Sequence, residues 1–321
     1  MYKVKQFIGI DVSKDVIDLY DSQGNYHQFK NSYSGFKKLL AITTVCTHCV
    51  MEATGYYHLK LAYFLQERGI AVSVENPLKI KRFIQMKLSK IKTDKSDAKQ
   101  IYEYGVSQKP DLWKGHNENH QECLQALSLL ALYTKQSTQL KNKIHGELVL
   151  GSVSKAVLKS LKLQLKRLTI ELEKLEALLE DKVKENYKTS LTLLQSIPGI
   201  GKKTALLLLV MTDGFHRFNS AKELCSYSGL TPIIRQSGSS VRGKSRISKI
   251  GNARLRNLLF MCSFNACKYN KACKAIYDRI VAKGKSKKLA LIAVCNKLLK
   301  QAFAIVKSGL PYDENFMSKL A

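Results

Sequence analysis

The rhythm of apolar and polar positions changes twice along this chain. Over residues 4–110, short apolar runs rich in β-branched residues alternate with segments of helical spacing. Val4 to Ile10 reads as a strand. Val16 to Tyr20 and Tyr26 to Lys30 flank the turn cluster from Asp21 to Asn25 and read as a hairpin. Residues 34–41 predict a short helix and Val45 to Glu52 a fourth strand. His58 to Arg68 predicts a helix ended by Gly69, and Ile70 to Val74 a fifth strand stopped at Asn76 and Pro77. Two basic helical segments follow, with Asp94 near the start of the second. A three-stranded meander and then alternating helices and strands predict a mixed α/β sheet over 1–115.

Residues 116–188 change character. Leucines recur at helical spacing in CLQALSLLALYTKQSTQLKNKI and again in AVLKSLKLQLKRLTIELEKLEALLEDKV. Two long helices follow, read as a coiled-coil connector that also mediates self-association. An intramolecular helical hairpin would carry the same pattern. From 189 to 321 the pattern is helical throughout. Its opening, LLQSIPGIGKKTALLLLV, sets Pro198 to Gly201 between two helical runs, a helix–hairpin–helix signal. The glycines let backbone N–H groups approach a phosphate, and Lys202 and Lys203 add charge. The expected class is therefore α/β plus all-α. The strand and helix order of the first domain is that of a ribonuclease-H-like fold.

Charge narrows the function. Lys and Arg number 53 against 25 Asp and Glu, a formal net charge of +28. An excess of this size favours a polyanion, nucleic acid above all. The 8 cysteines fall mostly inside apolar runs such as LFMCSFNAC, where they act as small hydrophobes. The one CxxC, Cys46 to Cys49, has no second pair at zinc spacing and reads as strand. No apolar run reaches membrane-span length and no secretory leader is visible, so a cytoplasmic protein with reduced thiols is expected.

Against that basic background four acids stand out. Asp11 closes FIGID, Glu52 closes CVMEATG, and Asp94 and Asp97 lie in KTDKSDA. The first two end strands; the last two, three residues apart, share one helix face. Four carboxylates gathered within a few ångströms repel one another unless a divalent cation neutralises them. Mg²⁺ held this way polarises phosphate oxygens. Asp15 and Asp18 are expected to be solvated.

A second constellation spans residues 235–256, RQSGSSVRGKSRISKIGNARLR, with seven Lys or Arg and no acid. Its Ser- and Gly-rich first half predicts a flexible loop. Arg235, Arg242, Lys244, Arg246, Lys249 and Arg254 suit phosphate gripping. Either the loop only grips the backbone, or one of its serines is a nucleophile helped by the arginines.

FIGIDVSKDVID, VMEATGYYH, KTDKSDA, IPGIGKKTA and QSGSSVRGKSRISKIGNARLR, in this order, resemble the DEDD-type transposases of bacterial insertion sequences. The likeness is to the insertion-sequence 110/1111 family, relatives of the Piv-type DNA invertases, and covers nearly the whole chain. It implies an N-terminal domain like the RuvC junction resolvase, with the acids at Asp11, Glu52, Asp94 and Asp97 around Mg²⁺. It implies a catalytic serine in a QSG or SSG motif, here Gln236-Ser237-Gly238, so Ser237, with Ser239 and Ser240 as alternatives. It also implies a phosphoserine–DNA intermediate, a structured bridge RNA pairing with donor and target DNA, and a homo-oligomer.

Two rivals are weaker. A junction-resolvase-type nuclease using metal-activated water needs the four acids and no serine. A non-catalytic nucleic-acid-binding protein leaves the acids without a purpose. Tyr56 and Tyr57, after Glu52, read as packing or DNA-stacking residues rather than nucleophiles, and Trp113 as part of a linker.

Overall fold

A computed structural model describes residues 6–88, 93–115, 117–152, 154–234, 236–237, 241–243 and 246–316. The chain divides into two compact units, Met1–His116 and Asn117–Ala321.

In the first unit, alternation decides the layers. Its elements are β1 (Gln6–Val12), β2 (Val16–Tyr20), β3 (Tyr26–Lys30), α1 (Tyr33–Ala41), β4 (Thr47–Glu52), α2 (Leu59–Gln66), β5 (Ala71–Glu75), α3 (Pro77–Met86) and α4 (Asp94–Gln108). The sheet order is β3-β2-β1-β4-β5. β1, β2 and β3 pair antiparallel, while β1–β4 and β4–β5 are parallel. Ile8, Ile10 and Val12 face one side and join Phe36, Leu39, Leu61 and Leu65 in a core beneath α1 and α2. Phe7 on the other side packs with Val50, Ile80, Phe83, Ile101 and Tyr104 beneath α3 and α4. Burial on both faces is what a central parallel pair requires. Each fully buried isoleucine there contributes about 1.5–3 kcal/mol. Trp113, expected in a linker, instead belongs to this unit: its N–H donates to the Val72 carbonyl at 2.7 Å and its ring meets Tyr63 edge-on.

The second unit is built on α5 (Glu118–Val149) and α6 (Lys155–Gln195). They pack along each other across a short turn with Gly151 at φ +76°, so the leucine periodicity is satisfied at least in part by an intramolecular helical hairpin. Leu172, Leu175, Leu179 and Val183 of α6 meet Cys123, Ala126, Leu127 and Leu130 of α5 in a core that runs on into α7 (Lys202–Thr212), α8 (Ala221–Tyr227), α9 (Ala253–Tyr269), α10 (Lys271–Ala282) and α11 (Lys287–Ser308). α6 kinks at Tyr187, whose hydroxyl donates to Asp213 Oδ1 at 2.7 Å.

Among the described residues α11 is long and apolar enough to cross a membrane by length and composition. Its lysines interrupt the apolar run in the sequence, and Ala290, Val294, Cys295, Leu298, Leu299 and Ala302 lie buried in the core. All eight cysteines are free, most of them buried. His48, between Cys46 and Cys49, is a buried strand residue that shares a 2.7 Å hydrogen bond with Ser73.

Candidate active site

Two strand ends and one helix start bring the acids of the first unit together. Asp11 lies near the end of β1, on the face shared by Phe7 and Gly9. Parallel pairing of Ile10 with Met51 sets Asp11 and Glu52 side by side at the carboxyl ends of β1 and β4. Asp94 and Asp97 occupy the first turn of α4, held by a capping box: Ser96 N–H donates to Thr93 Oγ1 at 3.1 Å and Thr93 N–H to Ser96 Oγ at 2.9 Å. The helix dipole favours carboxylates there.

Gly9 of the FIGID run delivers that turn to Asp11. A Cβ on Gly9 would lie 2.2 Å from the Tyr102 nitrogen and 2.4 Å from the Ala98 carbonyl oxygen. The backbone of α4 therefore rests directly on the backbone of β1, and only glycine fits between them. Toward the other end of α4, Gly105 keeps the helix close to β4, where a Cβ would meet Val50 Cγ2 at 2.9 Å.

The electrostatics follow from this packing. Burial, then the charges of Asp97, Glu52, Asp18 and Asp94, push the Asp11 carboxyl from 3.8 up to about 6. Burial and then Asp97 raise Glu52, against a hydrogen bond from the Thr54 hydroxyl at 3.4 Å. The acids thus share one electrostatic neighbourhood. Among the described residues, however, no three His, Cys, Asp or Glu side chains stand close enough to grip an ion, and Asp94 is exposed.

Asp18 corrects the sequence reading. It is 2% exposed rather than solvated. It pairs across the strands with Asp11 and accepts hydrogen bonds from the Tyr26 hydroxyl at 2.5 Å and Gln28 Nε2 at 2.8 Å. Bonding to Asp18 pushes the Tyr26 phenol up to about 12. The missed signal was the hairpin register: alternation in VIDLY puts Asp18 on the Asp11 face once β2 folds back on β1.

In the second unit the described residues of the basic stretch include short paired strands, which the expectation of a loop did not contain. β6 (Pro232–Ile233) pairs with β9 (Arg246–Ile247), and β7 (Gln236–Ser237) with β8 (Val241–Arg242), all antiparallel. β-branched Ile233, Val241 and Ile247 favour extended backbone despite the neighbouring Ser and Gly. Ser237 is in β7, opposite Val241. Arg235, Ser239, Ser240 and Lys244 lie outside the described residues. Arg246 and Lys249 are exposed at the base of the hairpin. Arg254, grouped with the phosphate-binding residues in the sequence, is half-buried and donates to the Leu127 carbonyl of α5 at 3.1 Å, which engages it inside the unit. Lys202 pairs with Glu180 at 2.7 Å and Lys203 with Glu176, exposed contacts that contribute little to stability.

Comparison with known proteins places the chain in a family. A DEDD-type transposase model of the IS110 kind matches residues 8–151, and a model described as the transposase IS116/IS110/IS902 family matches residues 191–278. The pilin gene-inverting protein of Moraxella lacunata is 33% identical over 97% of this chain and 98% of its own length. The chain belongs to the IS110 family of transposases. The counterpart from Moraxella bovis is also 33% identical over the same shares. The transposase of insertion sequence element IS1111A from Coxiella burnetii is 26% identical over 79% of this chain and 76% of its own.

As an IS110-family transposase the protein is an enzyme acting on DNA, and its DEDD class points to a divalent metal. The donor set suits one: all-oxygen carboxylates that raise one another's proton affinity are hard ligands for a hard divalent cation, which relieves the same repulsion.

Proposed function

We propose that this transposase breaks and rejoins DNA through two sets of residues. Asp11, Glu52, Asp94 and Asp97 hold Mg²⁺ in a first unit of ribonuclease-H-like, RuvC-like design. Ser237 of the hairpin is the nucleophile. The observation that carries this reading is that β1, β4 and α4 bring the acids of three separate sequence motifs into one neighbourhood around Asp11. The strand order, antiparallel through β3-β2-β1 and parallel through β1-β4-β5, supports the fold assignment.

The serine Oγ attacks phosphorus and forms a phosphoserine ester, while the bond from phosphorus to one strand oxygen breaks. The serine proton passes to solvent or a carboxylate, and the released strand oxygen takes up a proton. Mg²⁺, when bound, supplies charge stabilisation at the phosphoryl oxygens. Attack by the hydroxyl of another strand reverses these steps and frees the serine. The count of phosphoester bonds is unchanged, so strand exchange needs no external energy source. Both residue sets must act on the same phosphate, in one chain or between copies of a homo-oligomer.

Arg242, Arg246 and Lys249 hold backbone phosphates beside the serine. The Pro198 to Gly201 turn between α6 and α7 acts as a helix–hairpin–helix, with Lys202 and Lys203 exchanging their glutamate partners for phosphate. The charge of +28 suits simultaneous binding of DNA and a structured bridge RNA, in the bacterial cytoplasm.

The deciding experiment is capture of a covalent protein–DNA adduct on a nicked substrate, with the modified residue mapped by mass spectrometry. Attachment at Ser237 is expected. Cleavage undiminished in Ser237→Ala, Ser239→Ala and Ser240→Ala would establish attack by activated water instead. Asp11→Asn is expected to lower strand cleavage by about a thousandfold or more while leaving DNA binding intact.

A further inference from the structure

Tyr56 is displayed rather than packed. It is 77% exposed and lies four residues beyond Glu52. Its loop is held at several points. Ala53 N–H donates to the Glu75 carbonyl at 2.9 Å, and Thr54 N–H to the Glu52 carbonyl at 2.9 Å. Leu59 N–H donates to the Tyr56 carbonyl at 3.2 Å as α2 begins. Gly55, at φ +53°, makes the turn, and buried His58 anchors its far side.

A cross-link ties this loop to the strand that carries Asp11. Asn31 Nδ2 donates both to the Ser13 carbonyl at 2.7 Å and to the Tyr57 carbonyl at 3.3 Å. Ser13 is two residues beyond Asp11. The loop backbone that carries the exposed ring is therefore tied to the two strand ends that present Asp11 and Glu52.

We propose that Tyr56 is a stacking platform for an unpaired base of the DNA strand beside the phosphate that the acids engage. An ordered loop presents the ring at small conformational cost. Every base offers a π-face, so the contact tolerates sequence and leaves base choice to other parts of the complex. Lys60, exposed on the first turn of α2, stands by for the adjoining phosphate. The ring holds the base out of its duplex stack and thereby holds the backbone in place. The inference rests on the first unit being the DNA-cleaving one.

The probe is a gapped duplex with 2-aminopurine in the gap, whose fluorescence falls when the base stacks on an aromatic ring. The full-length wild type is expected to quench it. Tyr56→Ala should lose the quenching and bind the gapped duplex about tenfold more weakly. Tyr56→Phe and Tyr56→Trp should keep both, and an unchanged thermal melt of Tyr56→Ala confirms folding. Quenching and affinity in Tyr56→Ala equal to wild type would overturn the inference, as would loss of both in Tyr56→Phe. Asp11→Asn separates this from the catalytic reading. If Asp11→Asn still cleaves, the acids are not the cleaving groups, whereas the Tyr56 series reports stacking whether or not cleavage occurs.

Discussion

The two units carry their chemistry on opposite kinds of support. In the first, acids sit on central strands and on a helix whose backbone meets β1 directly at Gly9. In the second, Ser237 sits on a hairpin whose two ladders hold two residue pairs each. The acids lie on a scaffold with two buried cores, whereas Pro232 to Ile234 are exposed. The contrast teaches that an ion site drawn from three motifs far apart in sequence, as proposed here, depends on tertiary packing. The nucleophile we propose needs one hydroxyl, which a slender element can present.

The sharpest way to break that comparison is Gly9→Ala. The added methyl would overlap backbone atoms of α4, which have no rotamer to change. A loss of about 3 kcal/mol or more is expected in urea unfolding, with cleavage abolished. In the second unit Leu194→Ala, at a fully buried position, should cost about 2–5 kcal/mol. Leu163→Ala on the same helix, 48% exposed, should stay within about 0.5 kcal/mol.

Acid should weaken the first unit through His48 and His58. Burial lowers the proton affinity of both in the folded state, so the unfolded chain takes up protons first as pH falls below about 6.5. The histidine contribution is a stability loss that begins near that pH and levels off below the folded values. His48→Asn, read by denaturant titration against pH, should flatten the loss relative to wild type. The smallest effect expected is a gain. Gly146, in α5, has open space around it, and Gly146→Ala should stabilise the helix by about 0.5–1 kcal/mol in a thermal melt.

Much of the first unit was legible in the sequence because its signals are local. The Asp21 to Asn25 turn, Gly69 and the alternation of Ile8, Ile10 and Val12 each describe their own surroundings. Asp18 was not legible, because its burial depends on which strand folds beside it and on Tyr26 and Gln28 arriving from a third. The short strand pairs beside Ser237 were not legible because Ser and Gly outnumber the isoleucines and valine that extend them. Arg254 looked like its basic neighbours, and only the tertiary approach of α5 gives it the Leu127 carbonyl. Trp113 followed a proline and looked like linker until Val72 and Tyr63 were placed beside it.

The close approach at Gly9 has a mechanical meaning. Interdigitated side chains can slide and repack, absorbing small displacements a rotamer at a time. Peptide planes resting on peptide planes have no such slack. A push on the start of α4 is borne directly by β1, so Asp94 and Asp97 keep their place relative to Asp11 under load.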